Sequence, residues 1–474
     1  MSCLGLSRRS PNPSPLRILL TNGRFPVSLD LARQLRLLSH TIVIVADPMH
    51  YHVCKFSRST KKSYQVPAPR VDAGGYIQSI LSIIREEKID LIIPMHEEIF
   101  YLAESREPEI VNRLFAPPWE ILLRLHNKFS FAEWLRSVGL LTPVSHLCRS
   151  RADVERLLQA PGEWAVKPVF GRAARNVYHL RQGDKIPDSC DVGEGNHYIA
   201  QQWLTGQRYC SYMVIRAGRV QAFCLYPVQD TIDGSSCVYF RSIAHPAVEE
   251  YCTRIAAALP GVGAQLAFDF IEVPGQPVVA IECNPRATSG IHLFSGTPLL
   301  AQALVSGPPA PPPSAEAAPA YTTFTVVPPL GAKRQLAPGM LMWQKSERGV
   351  KAYLEHMGRL MGSKDVVFSK SDLLPSLMQP FLLTSYYEIC RERKLGLPEM
   401  FQWDLVWMVE TSLGTKGPGG EERGNEGVAI GEKLEKRRSE DSEGGGPCWM
   451  CTPEDRRDSG VVREQFEDSQ DGSV

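Results

Sequence analysis

The 474-residue sequence has no excess of charge of either sign: 52 Lys and Arg balance 52 Asp and Glu, a formal net charge of +0. Without a global basic field, nucleic acid and anionic membrane are excluded as principal partners. Apolar runs such as residues 41–46 are strand-sized and far short of a bilayer span. The first fifteen residues are rich in Ser, Pro and Arg and lack the apolar core of a secretory signal. The twelve cysteines show no framework spacing and read as reduced, mostly buried thiols of a cytoplasmic protein. Cys448 and Cys451, the close pair, supply half a zinc site at best. The first glycine turn, Thr21-Asn22-Gly23, is not G-x-G-x-x-G, so it indicates no dinucleotide site. What remains is a globular mixture, 43% hydrophobic and 22% charged, long enough for about three structural units.

Strand, glycine turn and helix patterns alternate from residue 16. They place strands at 17–20, 41–46 and 89–94 and helices at 29–38 and 75–87, an α/β arrangement with a parallel sheet. Residues 114–140 carry a helical pattern with Leu122, Leu125 and Phe129 on one face and Gly139 as its stop. Short strands then follow at 164–169, 197–202, 209–215, 219–225, 266–273 and 277–282, an antiparallel α+β region. The expected organisation is a disordered N-terminus (1–15), an α/β domain (16–115), an α+β domain (116–306) and a Pro/Ala linker (307–320). A mixed extension follows (321–412), with a strand at 322–327 and helices around 371–393. The tail (413–474) has 12 Gly and a net charge of −6, too little apolar surface to offset ordering entropy, and reads as disordered.

Residues 266–286, LAFDFIEVPGQPVVAIECNPR, carry the most chemistry. A turn centred between Gly275 and Gln276 sets Asp269 opposite Glu282, and strand alternation puts Asn284 on the face of Glu282. Two carboxylates facing each other across a hairpin repel, and the apolar neighbours Phe268, Phe270, Ala280 and Ile281 keep water scarce. A divalent cation converts that repulsion into attraction, and a few oxygen donors completed by a phosphate are what Mg²⁺ prefers. Arg286 follows, in reach of a phosphoryl oxygen. Lys167 ends an apolar strand, a poor place for an ammonium without an anionic partner, and Lys128 sits beside Phe129 on an amphipathic helix. His292 ranks lower, as a core histidine or a contact to the acceptor or the phosphates, and Arg24 and His96, near the C-terminal ends of strands, rank lower as substrate contacts. Trp203, Trp343, Trp403 and Trp407 read as packing.

In order, these residues resemble the ATP-grasp superfamily, in particular its carbamoyl-phosphate-synthase-like branch. The resemblance covers residues 16–300 and rests on Asn127-Lys128, Val166-Lys167-Pro168, the 199–206 segment IAQQWLTG, Phe268-Asp269-Phe270 and the 281–290 block IECNPRATSG. The sequence is also similar to biosynthetic ATP-grasp ligases that carry a CKFSRS segment (54–59), a CNPRATSGIHLF block (283–294) and a helical C-terminal extension. The resemblance implies an ATP-grasp fold preceded by a parallel-sheet domain. It implies ATP as cosubstrate and Mg²⁺, or Mn²⁺ in its place, as cofactor. Lys128 and Lys167 would contact phosphates, and Gln201, Gln202, Trp203 and Leu204 would hold adenine. Asp269, Glu282 and Asn284 would ligate the metal, and Arg286 would stabilise the transferred phosphoryl group.

The implied reaction joins a small carboxylate to an amine, amino acids for example, through an acyl phosphate, the chemistry of specialised biosynthesis. Two departures accompany the match. Arg208 stands where the family commonly has a ribose-binding Glu. The phosphate-covering loop, usually Gly-rich, reads FGRAARN (170–176), so Arg172 or Arg175 would contact phosphates through guanidinium groups in place of backbone N–H groups. Two alternatives stay open: a non-catalytic nucleotide-binding protein, and an enzyme that releases the acyl or carbamoyl phosphate without ligation. Substrate identity and oligomeric state have no readable code.

Overall fold

Near-continuous aliphatic runs can be buried only if helices cover both faces of the sheet they form. The structure, a computed structural model, describes residues 14–171, 176–232, 236–305, 325–342 and 349–407. Strands β1 (Leu16–Leu20), β2 (Thr41–Asp47), β3 (Lys62–Gln65) and β4 (Leu91–Ile93) form a parallel sheet in the order β3-β2-β1-β4. Ile18, Leu19 and Leu20 are fully sealed. Helices α1 (Pro26–Arg36) and α2 (Ala73–Glu87) are among those that connect the strands. Three strands and both helices lie where the periodicity puts them. The fourth, Lys62-Ser-Tyr-Gln, is a polar edge strand with exposed ends, and no apolar alternation announces it.

The single helix expected across 114–140 is two, Trp119–His126 and Lys128–Ser137. The break is Asn127, whose extended backbone ends the first helix while its side-chain oxygen accepts the N–H groups of Phe129 and Ser130. An Asn at the N-cap satisfies donors that a continuous helix would have bonded internally. The predicted stop holds: Gly139 and Leu140 donate back to Arg136 and Leu135, the paired bonds of a Schellman end. Leu122 and Leu125 are buried, but Phe129 is only half-buried and Phe131 takes the core position.

Two four-stranded antiparallel sheets follow. One runs Ser145–Cys148, Tyr198–Gln202, Glu163–Pro168, Tyr178–Arg181; the other runs Arg219–Pro227, Gln207–Arg216, Ala264–Glu272, Val279–Asn284. Farther on, Lys333–Gln335 pairs with Tyr239–Arg241 and with Lys364–Asp365, so the chain beyond residue 320 adds strands beside the antiparallel region. Of the strand expected at 322–327, residues 322–324 lie outside the described residues, and Val326 bridges Ala222. The expected helices near 371–393 are Leu374–Leu377 and Gln379–Arg393. The N-terminus up to residue 13, the 307–320 linker, Trp343, the 413–474 tail and the Cys448/Cys451 pair also lie outside the described residues. Among the described residues the cysteines are free thiols, and no helix is long and apolar enough to cross a membrane.

The C-terminal helices are fastened to the parallel-sheet domain through Asp372. Its carboxylate accepts from Arg33 Nε at 2.8 Å, Ser57 Oγ at 2.6 Å and the Arg58 N–H at 3.0 Å. Burial pushes this carboxyl up, but Ser57, Arg33 and the Arg58 N–H together hold it below the ordinary Asp value. Asp372→Ala leaves these donors unpaired and should cost about 2–4 kcal/mol at pH 7 in urea denaturation. A depressed carboxylate contributes stability above the ordinary Asp pKa of about 3.9 and loses it as pH falls through the lower folded value. The gap between wild type and variant should therefore close in acid; a gap of the same size at pH 3 would remove the ion pair as its cause.

Candidate active site

The 264–284 hairpin turns at Val273-Pro274-Gly275-Gln276, where Gln276 N–H bonds Val273 O at 2.9 Å and Gly275 takes φ +76°. Pro at the second and Gly at the third position are what a type II turn demands. The strands leave it in the register Ile271 opposite Val279 and Phe270 opposite Ala280. A bulge then skips Ile281 and brings Glu282 opposite Asp269, with Asn284 opposite Ala267. The expected pairing is therefore present, reached through a bulge and not through a uniform ladder. A bulge re-aims side chains in this way beside functional positions. On the reverse face Phe268 and Phe270 are sealed, with Phe131 at 5.9 Å from Phe268 and Tyr251 edge-on to Phe270 at 5.3 Å. That packing fixes which way the carboxylates point.

Both predicted lysines arrive from other elements. Lys128 opens the helix that Asn127 caps; its Nζ lies 3.6 Å from Glu282 Oε1 and donates to Gly171 O at 2.7 Å. Lys167, on the neighbouring sheet opposite Ile199, is 6% exposed. Burial lowers its pKa to about 8, with Lys128 adding to the fall and Glu282 and Asp269 opposing it. Asp269 moves the other way: burial and the facing Glu282 push it up to about 6, against the Cys210 thiol, Lys167 and Arg208. Glu282 is held below its ordinary value; burial pushes it up, but Lys128 and Lys167, then His126 and Arg286, outweigh that. The two lysines thus side with one carboxylate of the pair and leave the other short of positive charge. Arg286 is tied to Asn284 Oδ1 at 3.1 Å and to Ala287 O at 3.2 Å.

The residues at these positions fit a divalent cation. Two half-buried carboxylates face each other, one of them with a raised pKa, and an amide stands on the same face. Among the described residues no group of three or more His, Cys, Asp and Glu side chains converges as a metal cage. The donor set of two carboxylates and an amide would leave positions for phosphate oxygens and water, the habit of Mg²⁺ and not of a dedicated protein cage.

Gln201 is buried on the same sheet face as Lys167 and reaches Ser145 Oγ at 3.5 Å. Gln202 is exposed, with its N–H bonded to Val144 O. Trp203 stacks on His179 at 3.9 Å and Leu204 is half-buried. The segment then passes so close to Glu272 that a Cβ on Gly206 would sit 2.2 Å from its carbonyl oxygen, so only glycine fits. Arg172 and Arg175 lie outside the described residues. Arg24 is no surface contact: its guanidinium is sealed between Asp47 and Asp404, each at 2.8 Å. His292 is 1% exposed and bonds Asp30 at 2.8 Å, and His96 stacks on Phe25.

Two site residues carry no readable signal. Cys210 lies opposite Asp269 on the next strand and donates its S–H to Oδ1 at 3.0 Å, a contact visible only once that strand's register is known. His126 ends the first of the two helices and places its field on Glu282, which the break at Asn127 makes feasible.

Residues 125–290 match the family model of the ATP-grasp domain. No curated protein matches the chain. Among solved structures, the L-amino acid ligase from Bacillus licheniformis is similar at a TM-score of 0.50 and 15% identity, over 62% of this chain and 75% of that one. The N5-carboxyaminoimidazole synthetase from Staphylococcus aureus complexed with ADP is similar at 0.49 and 13% identity, over 61% and 77%. At such identities the likeness is one of fold.

Asp269 supports a prediction. A carboxyl whose folded pKa is raised contributes stability at low pH and loses it as pH rises through the folded value, here about 6. At pH 7.5 without metal, Asp269→Asn should therefore stabilise the protein by about 1–2 kcal/mol. Where MgADP raises the unfolding temperature of wild type, the same variant should lose that rise. A destabilised Asp269→Asn protein with intact MgADP response would remove Asp269 from the site.

Proposed function

We propose, for a chain whose residues 125–290 form an ATP-grasp domain, that it is a Mg-ATP-dependent ligase joining a small carboxylate to an amine through an acyl phosphate. The observation that carries this reading is the half-buried Asp269/Glu282 pair with the buried Lys128 and Lys167 converging on it from two other elements. Asp269, Glu282 and Asn284 would hold Mg²⁺, which supplies charge neutralisation for the triphosphate when bound. Lys128 and Lys167 would contact phosphate oxygens, Arg286 would meet the transferred phosphoryl group, and Gln201 to Leu204 would line the adenine.

In the first half-reaction a substrate carboxylate oxygen bonds to the γ-phosphorus and the bond to the β-phosphate oxygen breaks, releasing ADP. In the second an amine lone pair attacks the acyl carbon, the C–O bond to phosphate breaks, and the amine gives up a proton. Neither step asks the chain for a nucleophile. It positions two substrates and neutralises charge on the moving phosphoryl group, which the lysines and Arg286 can do in a dry site. Amino acids are the substrate class this reading favours.

Phosphate release from ATP should require both a carboxylate and an amine, in a screen of amino-acid pairs with mass detection of product. Glu282→Gln should lower the rate about 10²–10³-fold or more while leaving the unfolding midpoint near wild type, the scale of losing one preorganised charge contact. Nucleotide binding without turnover across the panel would favour the non-catalytic alternative, and phosphate release without a joined product the phosphate-forming one.

A further inference from the structure

An open parallel sheet binds ligands at the carboxyl ends of its strands. Here that edge is crossed by residues 396–407. Asp404 takes the Arg24 guanidinium that follows β1, and Arg70 grips the carbonyls of Trp403 and Asp404. Tyr101 Oη donates to Val406 O at 3.0 Å. Trp407 donates its backbone N–H to Glu97 at 3.3 Å and its indole Nε1–H to Glu104 at 3.2 Å. The segment is a strap fastened at every few residues.

What Trp407 touches is informative. Its ring, 4% exposed, lies 5.2 Å from Phe100, 5.7 Å from Trp119 and 5.6 Å edge-on from Phe170. His126 joins two of these rings, 4.5 Å from Phe100 and 5.7 Å from Phe170. Phe170 directly precedes Gly171, whose carbonyl accepts Lys128 Nζ, and follows Val169, whose carbonyl accepts the Lys128 N–H. Lys128 is thus held at both ends by the 169–171 segment, and Trp407 packs on the aromatic ring in its middle.

We infer that Trp407 is a positioning residue for the phosphate site: the docked strap clamps Phe170, which fixes Gly171 O and so holds Lys128 against Glu282. The inference rests on the nucleotide-binding reading for its functional consequence, and on packing alone for its mechanical one. The geometry also sets its reach. Phe170 is half-buried and owes part of its cover to Trp407. Without the indole, the ring has room to turn and the carbonyl beside it loses its fixed direction. Lysine has other rotamers available when its acceptor moves, so the loss falls on nucleotide affinity before it falls on the fold.

The test uses the full chain, with MgADP as probe and hydrogen exchange as a second readout. Trp407→Ala should weaken MgADP binding about tenfold, the scale of losing an aromatic pair or two. Amide exchange across 166–171 should quicken in the unliganded protein, while exchange in β1 and β2 stays as in wild type. Trp407→Phe, which keeps a ring, should restore binding to within about twofold. Glu104→Ala, which removes only the indole's acceptor, should give an intermediate effect and serves if Trp407→Ala does not fold. Wild-type affinity together with unchanged exchange at 166–171 in the variants would overturn the inference. If wild type itself binds no nucleotide, the functional proposal fails, and the exchange comparison in unliganded protein still decides whether Trp407 positions the segment.

Discussion

Two half-buried carboxylates held face to face are the constraint around which residues 125–290 are organised. Asp269 and Glu282 could relieve their repulsion by facing solvent, but Phe268 and Phe270 on the reverse of the strand are locked among Phe131 and Tyr251. Turning the carboxylates out would turn those rings out too, and burial of rings of this size outweighs the repulsion of one pair. The bulge at Ile281 adds a second lock by choosing which residue opposes Asp269. Lys128 and Lys167 then compensate the pair unevenly. Glu282 is held charged and Asp269 is pushed toward its neutral form. A site left half-compensated in this way fits a fold that gives up stability where a charged ligand belongs.

The parts legible in sequence were those whose logic is local. A turn with Pro and Gly, alternation along two strands and an apolar reverse face bring Asp269 and Glu282 together in the sequence. The turn itself lies at 273–276, earlier than the expected centre between Gly275 and Gln276, and the bulge at Ile281 makes up the difference. Lys167 stands out because the end of an apolar strand is a costly place for a lone ammonium, whereas Lys128 is marked by the family motif and not by its place on a helix. The break at Asn127 was hidden by a helical apolar pattern that continues across it, although an Asn before a Lys-Phe-Ser run is itself a cap signal. The strand β3 escaped because its polar edge has no alternation to read. Least visible were contacts between distant segments. Arg24 finds Asp404, and Asp372 finds Arg33, Ser57 and Arg58, through topology and not through spacing. Cys210 belongs with these: its place beside Asp269 depends on which strand joins the hairpin's other edge.

The division of labour between the two halves of the chain follows from the same facts. The antiparallel region supplies the carboxylates and Lys167, while Lys128 comes from the helix pair at its entrance. The parallel sheet presents its carboxyl edge, the edge where ligands bind in such folds, to the C-terminal strap. That edge is occupied by an ion-paired arginine and an aromatic cluster. A buried guanidinium with every arm engaged is rigid and has nothing left for a substrate. On the proposed ligase reading, recognition of the substrates would fall to other surfaces, and the strap's part would be mechanical, through the ring it presents to Phe170.

Charge arithmetic links the parts. Lys128, Lys167, Asp269 and Glu282 cancel one another when all are ionised, and Arg286 and Arg208 beside them tip the site toward positive charge. A triphosphate alone would bring negative charge into a space that already holds two carboxylates, and the lysines could not serve both. Arriving with a divalent cation it would change partners: Asp269 and Glu282 would hold the cation, and the lysines would be free to meet the phosphates. The raised Asp269 and the lowered Lys167 are the two halves of that exchange in its unliganded state, each penalised by burial, and each eased by the charge the nucleotide and its metal would carry in. On this account nucleotide and metal bind together or poorly, because either one alone leaves a buried charge without its counterpart.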